Sequence, residues 1–338
     1  MGGRRTKRNM QGLLRSWKTR GEEIVLAEEM ATREAYGETL RELGRRLDKI
    51  VVLDADLSKS TRTALFAEEF PLRFFNLGIS EADMISTAAG LAASGYIPFV
   101  STFGVFATGR VYDQVRNSIA YTNLNVKIAA SHTGLTVGED GASHQTLEDL
   151  ALMRVLPNMT VVVPADARQT VQAVEAVAQH TGPVYMRLGR PKVPRVIPPA
   201  QPFELGRAQV LREGRDLAFV ATGIMVGAAL EAAELLVREG VQASVINMHT
   251  IKPLDRELLV EAARQTGAIV TAEEHSIIGG LGGAVAEILG EEYPVPFLRV
   301  GVKDVFGESG SPRALLQKYG LTAENLVAAG KVVLQKKR

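Results

Sequence analysis

The chain has no cysteine among its 338 residues. That absence excludes a disulfide framework and any thiolate-ligated metal site, and a reducing compartment, the cytoplasm, is the expected location. No apolar run approaches the ~18 to 20 residues that a membrane span requires, because polar residues interrupt even the longest hydrophobic stretches, so no membrane partner is expected. Excess charge is also lacking: 39 Lys and Arg stand against 38 Asp and Glu, a formal net charge of +1. No whole-molecule field draws the protein towards nucleic acid, and charge selectivity has to be local. What is present is enough apolar material, 46% of residues, for a core in each of about two domains at ~150 residues apiece.

The charge is uneven. Residues 1–20 contain Arg4, Arg5, Lys7, Arg8, Arg15, Lys18 and Arg20 and no acid, and they cannot bury enough surface to offset chain entropy. A basic, disordered extension is expected over 1–27, without the apolar stretch of ~7 to 15 residues that a secretory signal carries. The chain without it is acidic.

From Ala31 onward, short β-branched runs alternate with longer helical periods, the pattern of parallel strands joined by crossover helices. Strands are predicted at 50–54, 74–77, 97–101, 126–130, 160–163 and 184–188, with helices at 31–47, 81–94, 104–121, 146–154 and 167–180. PKVPRVIPPAQP (191–202) then carries five prolines, a spacing that denies both helix and central strand, so a stiff linker is expected. The alternation resumes with strands at 216–223, 243–248, 268–274 and 296–302 and helices near 226–239, 255–265, 281–290 and 323–331. The expected fold is α/β, two domains of mostly parallel sheet flanked by helices, over 28–190 and 206–338 with a Pro-rich linker at 191–205.

In open parallel sheets ligands collect outside the carboxyl ends of the strands, and here the residues after each run are polar. Asp56, Ser58 and Ser60 follow IVVLD; Ser80 and Glu81 follow FFNLG; His132 follows VKIAAS; GEDGASHQ (138–145) comes next, with Asp140 and His144. Taken alone, each has a bland alternative. Ser80 before an acid is ordinary helix capping. His132 suits a strand end bonded to backbone, GEDG suits a turn, Arg33 suits a solvated charge, and Phe103 and Phe106 at i and i+3 suit a core.

Taken together they are more specific. ATREAYGETL, DADLSKST, FFNLGISEADM, PFVSTFGVF, SHTGLTVGEDGASHQTLEDLALMR and VVVPAD, in that order, resemble the second half of transketolase: its pyrimidine-binding domain followed by its carboxy-terminal domain. The resemblance covers nearly all of 28–338 and implies a transferase that moves a two-carbon ketol unit from a ketose phosphate to an aldose phosphate with thiamine diphosphate. It makes Glu81 the acid that shares a proton with N1′ of the aminopyrimidine, in a largely apolar pocket that would raise its pKa. Phe103 and Phe106 become the wall against that ring. Arg33, Ser60, His132 and Arg187 match the phosphate-binding group, with Arg190 as the alternative to Arg187, while Asp140 and His144 resemble residues that bind ketose hydroxyls and assist proton movement. Gly109 stands as an extra residue, which leaves Arg110 without an assigned role.

A domain is missing. The family holds the diphosphate through Mg²⁺ with a Gly-Asp-Gly motif and a later Asn, and no such triplet occurs here. The resemblance therefore implies a carboxy-terminal subunit of a split transketolase, with no metal ligands of its own, joined in an α2β2 assembly by an amino-terminal subunit that ligates Mg²⁺. EEHSIIGGLGGAV (273–285) fails the dinucleotide fingerprint because Val285 stands at the third glycine position, so a tight turn is expected. His275 carries no assigned role. The rivals are the β subunit of a 2-oxoacid dehydrogenase decarboxylase, which shares the two-domain plan, and a non-catalytic partner of another thiamine enzyme.

Overall fold

Residues 28–337 are described in the computed structural model, and the basic extension expected over 1–27 lies outside them. Runs such as IVVLD and LAFVA are apolar at nearly every position because a strand covered by helices on both faces has no wet side. All five residues of each are buried.

The strands are β1 (Glu29–Ala31), β2 (Ile50–Asp54), β3 (Phe74–Asn76), β4 (Ile97–Ser101), β5 (Lys127–Ala130), β6 (Thr160–Val162), β7 (Val184–Arg187), β8 (Lys192–Pro194), β9 (Gln209–Arg212), β10 (Leu217–Ala221), β11 (Ala243–Asn247), β12 (Thr250–Lys252), β13 (Ile269–Ser276) and β14 (Phe297–Val302). A seven-stranded sheet has the order β12–β6–β7–β5–β4–β2–β3, parallel from β6 to β3. A five-stranded sheet has the order β14–β13–β10–β11–β9, parallel except for β9. This is the two-sheet α/β architecture that the alternation predicts.

Three departures are informative. β12 follows the second sheet's β11 in sequence but pairs antiparallel with β6 of the first sheet. A three-residue strand has no periodic signal, and this one forms because a neighbour's edge offers unpaired backbone groups. The Pro-rich segment is not wholly irregular either: β8 pairs antiparallel with β1, and an edge pair of this kind tolerates proline. Finally, the helix expected over 104–121 is divided into wide-turned π segments at Phe106–Arg110 and Val115–Ala120, separated by Tyr112–Gln114. Gly109 lies inside the first. A helix accommodates an added residue by widening one turn, a device frequent at functional sites.

The cores of the two halves are fused. One buried cluster includes Leu53, Ile128 and Val161 from the first sheet with Val220, Ile246 and Leu281 from the second half. Burial also traps Lys127 at the start of β5, where Nζ donates to the carbonyls of His180 (2.7 Å) and Gly182 (2.8 Å) with no carboxylate among the described residues to balance it. Desolvation lowers its pKa to about 7. Below that value both folded and unfolded chains are protonated and the full penalty applies; between about 7 and the unfolded value of about 10.4 the folded chain releases the proton first and gains stability. Urea unfolding should therefore show wild-type protein gaining stability from pH 7 to 9.5 relative to Lys127→Met. Parallel pH curves for the two would contradict the burial of an uncompensated cation.

Candidate active site

Strands β5, β4, β2 and β3 are parallel neighbours, so the residues that follow them emerge along one edge although they are far apart in sequence. His132 follows β5, Phe103 and Phe106 follow β4, Ser60 follows β2 and Glu81 follows β3. The adjacent β7 completes the edge: the backbone N–H of Gly189, just beyond it, donates to Thr32 Oγ1 at 2.7 Å. That bond anchors the first turn of the Thr32–Arg46 helix and so fixes Arg33.

Glu81 opens the Glu81–Ala93 helix with its side chain only 3% exposed. Its surroundings differ from the apolar pocket expected. Arg110 Nη1 donates to both carboxylate oxygens, at 2.9 and 3.0 Å. The same guanidinium lies 4.2 Å from the centroid of the Phe106 ring. This i, i+4 placement stacks a cation on the aromatic face while its charge reaches the acid. Phe106 in turn stacks with Phe103 (6.0 Å, 10° between planes), and Phe103 stacks on the imidazole of His132 at 3.8 Å. His144 meets both phenylalanines edge-on, at 6.4 and 5.6 Å. Glu81, Arg110, Phe106, Phe103, His132 and His144 thus form one continuous surface.

The cationic side of the site is built around His132. Its backbone has φ +54°, a left-handed conformation uncommon for a side chain of this size. Ser131 Oγ is 2.9 Å from Nδ1, and Arg33 Nη1 is 3.4 Å from Nε2. Burial, with Arg33, Arg190 and His144 nearby, lowers the pKa of His132 to about 3. It is therefore neutral, and the charge on this side belongs to the arginines. Arg33 also donates to the Ser60 carbonyl at 2.7 Å, so Ser60 joins the group through its backbone. The turn bearing Ser60 is held by buried Asp54, which accepts from the Leu57 N–H and from the hydroxyls of Thr61 and Thr63 at 2.6 to 2.9 Å. Asp140 is exposed at the end of the Leu135–Asp140 turn.

Arg187 is not brought to this group. It is 6% exposed, its Nε donates to Asp149 Oδ2 at 2.7 Å, and its Nη2 donates to the Glu274 carbonyl at 2.9 Å. The resemblance made it a candidate, with Arg190 as the alternative, but the neighbouring acid and the second sheet claim its donors. Arg190 takes the electrostatic role instead: it acts on both Arg33 and His132, and it donates to the Val137 carbonyl and to Glu139. Tyr185 Oη also donates to Asp149 (2.7 Å), and buried His275 lies 4.0 Å from the same carboxylate.

The glycine-rich turn before the Leu281–Glu292 helix is filled from within, as the failed fingerprint suggests. Glu273 accepts from the backbone N–H groups of Leu281 and Gly282, both at 2.7 Å. A Cβ on Gly280 would lie 2.0 Å from the Glu273 carboxylate, which explains the glycine and leaves no room for a phosphate. Among the described residues no group of three His, Asp or Glu side chains is arranged to hold a metal ion. No helix of the described residues is long and apolar enough to cross a membrane.

Comparison with known proteins agrees with this geometry. The family profile described as the transketolase pyrimidine binding domain matches residues 28–195, and that of the transketolase C-terminal domain matches 206–326. A provisionally named transketolase C-terminal section of Methanocaldococcus jannaschii is 49% identical over 87% of this chain and 93% of its own. A 6-deoxy-6-sulfo-D-fructose transketolase subunit of a Clostridium species is 47% identical, covering 93% of this chain and 97% of that protein. Among solved structures, a split-gene transketolase described as an inactive β4 tetramer superimposes with a TM-score of 0.86 at 62% identity, over 91% of this chain and all of that one.

The different placements of two aspartates are open to measurement. Asp149→Ala strands the buried Arg187 cation and should destabilise the protein by about 3–5 kcal/mol. Asp140→Ala, on an exposed turn, should change stability by no more than about 0.5 kcal/mol. Equal shifts in denaturant midpoint would contradict the assignment of Arg187 to the interior.

Proposed function

Since the chain belongs to the transketolase family and is a C-terminal section of a split transketolase-family enzyme, a transferase of the thiamine-diphosphate-dependent kind, we propose that it supplies half of an active site transferring a two-carbon ketol unit between sugar phosphates. The observation that carries the reading is the surface running from a buried carboxylate through two stacked phenylalanines to a histidine ringed by arginines. It joins an acid beside an aromatic wall to an anion-binding end, which is what a thiamine enzyme acting on phosphorylated ketoses needs.

The residues present fit the aminopyrimidine half of thiamine diphosphate. Among the described residues Glu81 has Arg110 as its hydrogen-bond partner, and that guanidinium is half exposed, so the carboxylate can exchange a mobile partner for a ring nitrogen. When bound, the cofactor supplies a carbon nucleophile and an electron sink. Glu81 holds a proton at the pyrimidine nitrogen, Phe103 and Phe106 cover the ring and exclude water, and Arg110 competes for the same carboxylate oxygens. Arg33, Arg190, the Ser60 turn and neutral His132 bind the phosphate, the arginines providing charge-assisted hydrogen bonds worth about 1.5–3 kcal/mol each. His144 and Asp140 address the ketose hydroxyls. The diphosphate and Mg²⁺ fall to an amino-terminal partner subunit, in an α2β2 complex with sites at the subunit interfaces, because the Gly-Asp-Gly motif is absent from this sequence. Work in the cytoplasm, in pentose phosphate metabolism, is the setting this chemistry suits. A 2-oxoacid dehydrogenase or scaffold role is not favoured, since both family matches are to transketolase domains and an oxoacid has no use for this cationic end.

Mixing the chain with its amino-terminal partner, thiamine diphosphate and Mg²⁺ should convert xylulose 5-phosphate and ribose 5-phosphate. Absence of turnover with every ketose phosphate tried would overturn the proposal. In that complex Glu81→Gln should lower kcat by about 10²–10⁴ with folding intact. His132→Ala should raise KM for phosphorylated ketoses well beyond its effect on unphosphorylated ones; equal changes would remove the phosphate contact. Calorimetry on the lone chain should detect only weak thiamine diphosphate binding even with Mg²⁺, and tight binding would contradict the divided site.

A further inference from the structure

The second half of the chain does more than cover the first. The turn that bears His132, Asp140 and His144 is gripped from outside its own sheet by side chains and backbone of β13 and of residues 306–312. Glu274, on β13, directs its carboxylate into the turn, where Oε1 accepts from the backbone N–H of Thr136 at 2.6 Å. Gly134 is a glycine for this reason: its φ is +76°, and a Cβ there would lie 2.4 Å from the Glu274 carboxyl carbon. Farther along, Ser309 Oγ donates to the Glu139 carbonyl at 2.6 Å, and Gln145 Nε2 donates to the Glu308 carbonyl at 2.9 Å. The Pro312–Lys318 helix packs against the same turn.

Of these contacts the one to Glu274 is the innermost. The side chain is buried, while Ser309 and Glu139 are at the surface. It also lies within the buried set of Arg187, Asp149, Glu273, His275 and Tyr185, and the Arg187 guanidinium binds its backbone carbonyl. One residue of the second half thus meets both the buried Arg187–Asp149 pair of the first half, through its carbonyl, and the turn that bears His132, Asp140 and His144, through its carboxylate.

We propose that Glu274 is a positioning residue: through the Thr136 N–H it sets the conformation of the 132–144 turn, so the second half of the chain holds the substrate-facing groups in place. The functional part of this inference rests on the transketolase reading; the structural part does not. Burial raises the Glu274 pKa to about 7, with Arg187 acting to lower it. An acceptor oxygen remains in both protonation states, and the amide of glutamine offers the same oxygen in the same shape. Glu274→Gln should therefore preserve the hold and Glu274→Ala abolish it.

The first arm of the test is hydrogen exchange of the Thr136 amide in the full-length lone chain. Wild type and Glu274→Gln should be equally protected, with exchange at least about tenfold faster in Glu274→Ala. The second arm is kcat/KM for a ketose phosphate in the complex with the partner subunit: at least about tenfold lower for Ala, and within about twofold of wild type for Gln. A structural role through charge balance alone would make Gln fail with Ala. Unchanged Thr136 protection in Ala, or loss of protection in Gln, overturns the proposal. If Ala does not fold, Gly134→Ala, which drives a methyl group against the carboxylate, should expose the Thr136 amide in its place, and retained protection there is equally contrary. Inactivity of wild type itself would sink the functional reading and leave the exchange comparison to decide the hold.

Discussion

The buried pair of Arg187 and Asp149 is the interaction around which the two halves of the protein are arranged. A guanidinium and a carboxylate taken out of water repay their desolvation only when the remaining donors and acceptors are also met. Here Tyr185 donates to one oxygen of the acid and the Glu274 backbone carbonyl accepts from the arginine, so the second sheet supplies part of what the pair needs, while Asp149 Oδ1 has no hydrogen-bond partner among the described residues. The two halves also share a buried apolar cluster, but apolar burial is non-directional and does not by itself specify orientation. The ionic set does, and β12 pairing with β6 reinforces it.

With that docking in place, the edge of the seven-stranded sheet becomes a site. Parallel strands bring their carboxyl ends to one side, and the turns leaving β2, β3, β4 and β5 deliver a carbonyl, a carboxylate, two aromatic rings and a histidine to adjoining positions. The chemistry is divided along the edge. At one end Glu81 shares its oxygens with Arg110, a partner half exposed and stacked on Phe106. At the other, burial keeps the His132 imidazole unprotonated, and the charges of Arg33 and Arg190 act in the same direction. The aromatic pair lies between Glu81 with Arg110 at one end and His132 with Arg33 at the other.

Much of this was legible in the residues. Helices with a clear 3.6-residue period and strands buried on both faces have strong local patterns, which is why Thr32–Arg46, Ile50–Asp54 and Ile97–Ser101 fall where expected. The elements missed are those without a local signal: β12 and β9 are short and owe their existence to a partner strand, and the division of 104–121 into π segments leaves no mark on the apolar periodicity. Of the site residues, those following strands of one sheet were visible as polar groups after apolar runs. Arg187 and Arg190 both stand in YMRLGRP, and nothing local to that run says which of them meets a buried acid. Arg110 was left unassigned because Gly109, read as an extra residue, obscured its register, and its contact with Glu81 spans 29 residues of sequence.

What the sequence by itself determined is the class of fold, the division of apolar runs into two sheets, and the set of side chains from which a thiamine site can be made, because periodicity, breakers and ordered motifs are properties of local chain segments. What only the tertiary structure decided is that Arg187 pairs with a buried acid while Arg190 lies near Arg33 and His132, that Glu81 faces a guanidinium, and that Glu274 reaches across to Thr136. Each of these is a contact between segments far apart in the chain, settled by competition for a few buried donors and acceptors once the two sheets have closed on one another.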